Sequence, residues 1–189
     1  NGFRSGWFYP DWSGQFYGSL SGQGKWAAND RVVRLDDINV TGSLREQPLS
    51  AQGPLSISFP ANRWPRVTSP GFNAAWGGNS VAMTGGLTDS WDAKIDLLLA
   101  NPALLVSGLE GRLSGQVSLA GAEQAPDVQA DLAGDHVGYA GYVAKSAIFK
   151  ATVPELGLKP GNSSLTLAGI TNQSGDSLGN LTLQMGSDL

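Results

Sequence analysis

The sequence predicts an all-β protein, a repetitive antiparallel array with at most one short helical turn, and three observations carry that prediction. The first is repetition. Gly18-Ser19-Leu20-Ser21-Gly22-Gln23 returns as Gly111-Arg112-Leu113-Ser114-Gly115-Gln116, and Thr41-Gly42-Ser43-Leu44 has a looser echo in Thr84-Gly85-Gly86-Leu87. Units that repeat in this way imply stacked elements sharing one continuous core. The second is period: apolar residues stand at every second position with glycine and small polar residues between them, as in a strand with one apolar and one polar face. The third is composition, because 26 glycines in 189 residues suit a sheet with many turns and bulges.

From the N-terminus, Phe3, Trp7, Phe8, Tyr9, Trp12, Phe16 and Tyr17 form an aromatic cluster that reads as a hydrophobic cap over one end of a core rather than a ligand patch. A strand follows over 14–26, with Phe16, Leu20 and Trp26 in phase, then a turn at Asn29-Asp30. Val33 and Leu35 share one phase, whereas Ile38, Val40 and Leu44 share the other. A β-bulge is therefore predicted at Asp36-Asp37, where one extra residue bends the strand. Residues 49–59 predict a single strand with Leu49, Ala51, Gly53, Leu55, Ile57 and Phe59 on the inner face and Ser50, Gln52, Ser56 and Ser58 opposite. Pro60, Pro65 and Pro70 argue against a central strand, so 60–71 is the candidate junction within one array that runs from 1 to 189.

Strands resume over 72–76 and, after a turn at Gly77-Gly78-Asn79, through Val81, Met83 and Leu87. Trp91, Ala93, Ile95, Leu97 and Leu99 alternate, although Trp91, Ile95, Leu98 and Leu99 also fit helical spacing. Asn101 as a cap and Pro102 at the first helical position predict one turn through Leu104 and Leu105, ended by Gly108. Leu113, Val117 and Leu119 set the next strand, followed by a turn over 122–126 and by Val128, Ala130 and Leu132. Further strands are predicted over 137–142, 147–153, 165–167 and 181–185.

Composition narrows the function. Charged residues make up 15% of the chain, and the net charge is −4 with acids and bases scattered, so no basic stripe exists for nucleic acid. The absence of cysteine excludes disulfides and thiolate metal sites. The longest apolar stretch, 95–106, holds Asp96, Asn101 and Pro102 and is too short and too interrupted to span a bilayer. With no signal peptide at Asn1 and strand-like sequence up to Leu189, the chain reads as an internal fragment of a longer protein whose targeting segment lies outside it.

No chemistry-bearing constellation emerges. His136, between Asp135 and Val137, reads as a solvated turn residue without a triad partner. Asp127, Asp131 and Asp135 share a strand face opposite Val128 and Leu132, but without the loop spacing of a calcium site they read as a solvated polar face. Gly22-Gln23-Gly24-Lys25-Trp26-Ala27 matches a dinucleotide fingerprint in letters, yet no helix follows to receive the phosphates. The expectation is a protein that is not an enzyme and carries no metal or cofactor.

Leu97, Leu99, Asn101-Pro102, Leu104-Leu105, Gly108, Gly111, Leu113, Gly115, Val117, Leu119 and Gly121, closing with Pro126, Val128, Ala130, Leu132 and Gly134, run in a characteristic order. Over this stretch the chain resembles the repeat of the TamB family, inner-membrane-anchored subunits of the translocation and assembly module of Gram-negative bacteria, and of the wider AsmA-like proteins. Phe8-Tyr9-Pro10-Asp11-Trp12 followed by Gly18-Ser19-Leu20 looks like another piece of the same family. Ala122 departs from it, standing where a threonine commonly follows the glycine. The resemblance implies a long curled, solenoid-like sheet of the β-taco type with an apolar inner groove. It also implies a periplasmic location with anchorage to the inner membrane in the full-length protein, and an outer-membrane partner of the TamA type met through regions outside this fragment. Membrane contact is expected only through the missing N-terminal anchor.

The leading functional expectation is a conduit for phospholipid acyl chains between inner and outer membranes, in support of outer-membrane biogenesis. Its groove is assigned to Leu49, Leu55, Ile57, Phe59, Val81, Met83, Leu87, Ile95, Leu97, Leu99, Leu113, Val117, Leu119, Val128, Leu132, Leu165, Leu167, Leu181, Leu183 and Met185. An acyl chain crossing water loses about 0.8 kcal/mol per exposed CH₂, or roughly 12 kcal/mol for a 16-carbon chain, and an apolar trough removes that barrier without needing catalysis. The alternative is a chaperone-like scaffold that presents strand edges to outer-membrane β-barrel proteins and autotransporters by β-augmentation. A closed β-sandwich with no ligand has the same alternation and differs in sealing its apolar face.

Overall fold

The computed structural model describes residues 3–4, 13–27, 30–60 and 65–186, with residues 3, 4, 27 and 30 described by their backbone alone. Trp7, Phe8, Tyr9, Trp12 and Asn29, on which part of the aromatic cap and the first turn were predicted, lie outside the described residues. The chain divides into two units, Asn1–Thr88 and Asp89–Leu189, with the 60–71 segment inside the first. In each unit the strands pair antiparallel, and the one described departure from strand and turn is a short 3-10 turn, as predicted.

The first unit contains β1 (Phe3–Arg4), β2 (Gly14–Ala27), β3 (Asp30–Leu44), β4 (Gln47–Gln52), β5 (Leu55–Pro60), β6 (Arg66–Trp76) and β7 (Asn79–Leu87). β1 pairs with β2 and β2 with β3, while β4 and β5 lie end to end between β3 and β6, which in turn pairs with β7. The single strand predicted over 49–59 is thus two strands. Pro54 has no N–H for a ladder, and Gly53, at φ 106°, donates its own N–H to the Ile38 carbonyl at 3.0 Å. The odd-numbered residues of both pieces nevertheless share one face. Leu49 is paired to Gly42 and Trp76, whereas Leu55 is paired to Leu35 and Ile57 to Val33 and Val67.

β6 corrects a second expectation, since Pro70 lies within a central strand. The register slips between Ser69 and Phe72, so the proline falls where the ladder is interrupted and no N–H is required. The buried Ser69 hydroxyl donates to the Pro54 carbonyl at 2.7 Å and accepts from the Gly71 N–H at 3.0 Å. The predicted bulge at Asp36-Asp37 is present as a register shift against β2. These irregularities lie side by side and form a crease across the sheet, at which the apolar phase changes parity from Leu35 to Ile38 and from Val67 to Phe72.

The second unit is a meander of β8 (Ser90–Leu99), β9 (Glu110–Ala122), β10 (Pro126–Tyr139), β11 (Tyr142–Val153), β12 (Asn162–Asn172) and β13 (Ser177–Gly186), each paired with the next. The alternation of Trp91, Ile95 and Leu99 resolves to strand, not helix. The 3-10 turn spans Pro102–Leu104 with Pro102 in its first turn, but Asn101 makes no side-chain cap; its carbonyl accepts from the Leu104 N–H instead. The strand predicted over 137–142 is the end of β10, the two-residue turn Ala140-Gly141 and the start of β11. Both turn residues have positive φ (52° and 86°), the geometry that matches the twist of a tight hairpin.

His136 is likewise inside β10 rather than in a turn, at φ 49°. Together with Lys145 and Gly169 it forms a row that drops out of the ladder, and the apolar phase flips there on all three strands: Gly134 to Val137, Ala147 to Ala144, and Leu167 to Ile170. This is a second crease. The repeated hexapeptide belongs to β2 and β9 for a steric reason. A Cβ at Gly18, Gly22, Gly111 or Gly115 would lie 1.9–2.3 Å from a carbonyl oxygen of the following strand, so each repeat is a place where two backbones approach too closely for a side chain.

Candidate functional site

In the second unit the register assembles apolar rows that run across the strands. Leu97, Gly115, Leu132, Phe149, Leu165 and Leu183 form one row. Leu99, Leu113, Gly134, Ala147, Leu167 and Leu181 form the next. On the other side lies a row of Ile95, Val117, Ala130, Ala151, Ser163 and Met185, followed by Ala93, Leu119, Val128 and Val153. All thirteen residues assigned to this unit from sequence therefore share one face. Phe149 and Val153 belong to it too; the alternation of Ala147, Phe149, Ala151 and Val153 was the signal that could have found them.

That face is not sealed. Among the described hydrophobic residues of this unit, Ala93, Ala125, Ala130, Ala144, Ala147 and the two prolines Pro102 and Pro126 are buried, whereas the leucines, isoleucines, valines, Phe149 and Met185 all keep part of their surface. Leu181, Leu183 and Met185 on β13 remain 42%, 43% and 55% exposed. A sandwich packs a second sheet about 10 Å away and buries such side chains. Here the strands instead have their substantial backbone contacts with ladder neighbours, and the 3-10 turn rests on β9.

The first unit repeats the arrangement. Leu49, Leu55, Ile57, Phe59, Val81, Met83 and Leu87 share one face with Val33, Leu35, Ile38, Val40, Val67, Phe72 and Trp76. Ile57 and Met83 are half-buried and Phe59 is exposed, but Leu87 is fully buried and contributes packing, not accessible surface. Arg–Trp pairs mark both ends of this face. The Arg45 guanidinium lies 5.9 Å from the centroid of Trp76, whose indole N–H is held by the Leu44 carbonyl at 2.9 Å. At the other end Arg31 lies 5.8 Å from the centroid of Trp26.

The opposite face of the second unit is mostly polar, with Leu98, Ala133 and Ile148 among the exceptions, and is locally paired. The Gln116 amide donates to Asp96 at 2.6 Å, and Lys150 sits 3.6 Å from Asp131. Asp135 is beside His136 Nδ1 at 3.0 Å, and Asp127 accepts the Glu155 backbone N–H at 2.8 Å. The three aspartates predicted to share a solvated face do so, each with a separate partner. Among the described residues no group of three or more carboxylates and histidines is placed to hold a metal ion. A depression of about 450 Å³ over β11, β12 and β13 is lined chiefly from this polar side, by residues such as Lys150, Thr152, Asn162 and Gln184.

The family model for the TamB N-terminal domain matches residues 1–187. The chain belongs to the TamB family. A curated relative, the translocation and assembly module subunit TamB of Haemophilus influenzae, is 25% identical over 154 residues. That alignment covers 82% of this chain and 12% of the relative, so the chain spans about an eighth of the length of that protein. No solved structure matches. Among the described residues, no helix is long and apolar enough to cross a membrane.

Proposed function

We propose that the apolar faces of the two units carry phospholipid acyl chains through the periplasm, as one segment of a longer inner-membrane-anchored protein that supports outer-membrane biogenesis. The observation that carries this reading is the row of partly exposed leucines across β8 to β13, a continuous apolar surface that its own fold leaves unsealed. Such a surface offers an acyl chain an environment close to that of the bilayer, so the roughly 12 kcal/mol cost of exposing sixteen carbons to water is removed without a deep trap. Passage then needs no catalytic group. The family membership supports a role in the translocation and assembly module, with an outer-membrane partner met elsewhere in the protein.

Side-chain period supplies the test. A photo-crosslinking residue at Ile57 or Leu97 in the full-length protein should capture phospholipid, and one at Ser58 or Asp96 should capture little. Equal capture at Ile57 and Ser58 refutes the faced conduit. A second reading, a scaffold that pairs strand edges with outer-membrane polypeptides, draws on β2, whose edge residues beyond Phe16 have no described partner except β3 and include Gly18, Gly22 and Gly24. Capture of polypeptide in place of lipid, concentrated at that edge, would favour it.

A further inference from the structure

The apolar face of the first unit ends on a row that is not apolar. Following β3 toward its start, the residues on that face are Ile38, Leu35 and Val33, and then Arg31. Arg31 is paired to Trp26 on β2 and to Phe59 on β5, so in the ladder an arginine stands between two aromatic residues at the end of a greasy surface. Trp26 is 72% exposed and Phe59 45% exposed. The indole lies back along β2, with its Nε1 4.0 Å from where a Cβ of Gly24 would sit, and so stays over the apolar face. The described contact of the Arg31 guanidinium is the Trp26 ring, and no described carboxylate pairs with it. The Arg45–Trp76 pair at the opposite end differs: that indole N–H is already spent on the Leu44 carbonyl.

A guanidinium with free N–H donors, an indole N–H and two aromatic faces bordering an aliphatic surface is the chemistry of a lipid–water interface. Arginine binds phosphate oxygens through a bidentate fork, and tryptophan settles where apolar chain meets polar headgroup. Exposed Lys25 and Arg34 at the same end of the sheet add positive charge from the other face.

We propose that Trp26, Arg31 and Phe59 form a headgroup station: Arg31 takes the phosphodiester of a phospholipid whose acyl chain lies over Val33, Ile57 and Leu55. This deepens the conduit reading and rests on it. It explains why the one charge on this stretch of apolar face stands at its end, where a chain enters or leaves, rather than within it.

Three probes below their aggregation concentrations separate the possibilities when titrated calorimetrically into the 189-residue chain: dihexanoyl phosphatidylglycerol, dihexanoylglycerol without phosphate, and inorganic phosphate. The phosphodiester lipid should bind more tightly than the neutral one. Arg31→Gln should weaken it about tenfold, a loss of about 1.4 kcal/mol, and leave dihexanoylglycerol unchanged. Arg31→Lys, which keeps the charge but loses the fork, should fall between. Should Arg31→Gln lose its strand signal in circular dichroism, Arg31→Lys carries the comparison. Binding of dihexanoylglycerol with no advantage for the phosphodiester, or no effect of either Arg31 variant, overturns the station and leaves the conduit standing. Arg31-dependent binding of inorganic phosphate as tight as that of the lipid also overturns it, making this a free-anion site. No binding of either lipid overturns both readings.

Discussion

Replacing Gly111 by alanine tests whether the repeated glycines are set by backbone approach. The added Cβ would lie 2.2 Å from the His136 carbonyl oxygen, 2.6 Å from its carbon and 2.7 Å from the Asp135 oxygen, all backbone atoms that cannot swing aside. Relief requires β9 and β10 to part by roughly 1 Å, which breaks the pairings beside the bulge, Arg112 with Asp135 and Glu110 with Gly138, at about 1 kcal/mol each. The backbone at Gly111, φ 91°, adds about 1–2 kcal/mol for any residue with a Cβ. The expected loss is about 3–4 kcal/mol, or roughly a 10 °C fall in thermal midpoint for a chain of this size. Gly71→Ala is the control, since nothing lies within 4 Å of its Cβ position. With a compatible backbone it should be neutral or gain about 0.4–1 kcal/mol by restricting the unfolded chain. Urea unfolding followed by circular dichroism reads both variants, and equal midpoints would refute the reasoning.

Ser69→Ala should cost about 1–3 kcal/mol in the same assay, because it strands the Pro54 carbonyl and the Gly71 N–H in a buried crease; an unchanged midpoint would mean water replaces the hydroxyl. Ile57→Asp should block lipid capture by the full-length protein, and Ser58→Asp should not, with abundance measured alongside because a desolvated charge costs several kcal/mol. The Lys159 pKa is raised above 10.5 by its hydrogen bond to Glu155 and then by attraction to the same carboxylate. What the pair contributes is therefore fully present below the unfolded pKa and lost as pH climbs through the raised one. Both groups are largely solvated, so Lys159→Met should leave the neutral-pH midpoint unchanged in physiological salt.

Period two made the apolar faces readable, because every residue two positions along a strand returns to the same side whatever its neighbours are. Leu113, Val117 and Leu119 needed no further information, and the parity change around Asp36-Asp37 exposed its own bulge. What failed to show was where a strand stops without losing its phase. Leu49 and Leu55 are in phase across Gly53-Pro54, so two strands looked like one. The turn at Ala140-Gly141 hides between Tyr139 and Tyr142, which pair across the hairpin and carry the apolar run straight through it. Pro70 misled because a proline is foreign to a ladder but not to a gap in one. Arg31 is hard to read from sequence because a charge interrupts an apolar alternation, although its parity with Val33 puts it on that face.

Among the described residues of the second unit, each strand from β8 to β12 bonds to the strand that follows it in sequence. No segment waits for a distant part of the chain before it can pair, so loop-closure entropy is low at each step and the sheet can grow one hairpin at a time. Cohesion is then a sum of neighbour couplings, close to a one-dimensional lattice, and not the all-or-none cohesion of a sealed core. Hydrogen exchange should consequently be graded, fastest on β13 and slowest on the central β10 and β11. A sheet of that kind can fray at an edge while its interior rows keep their register.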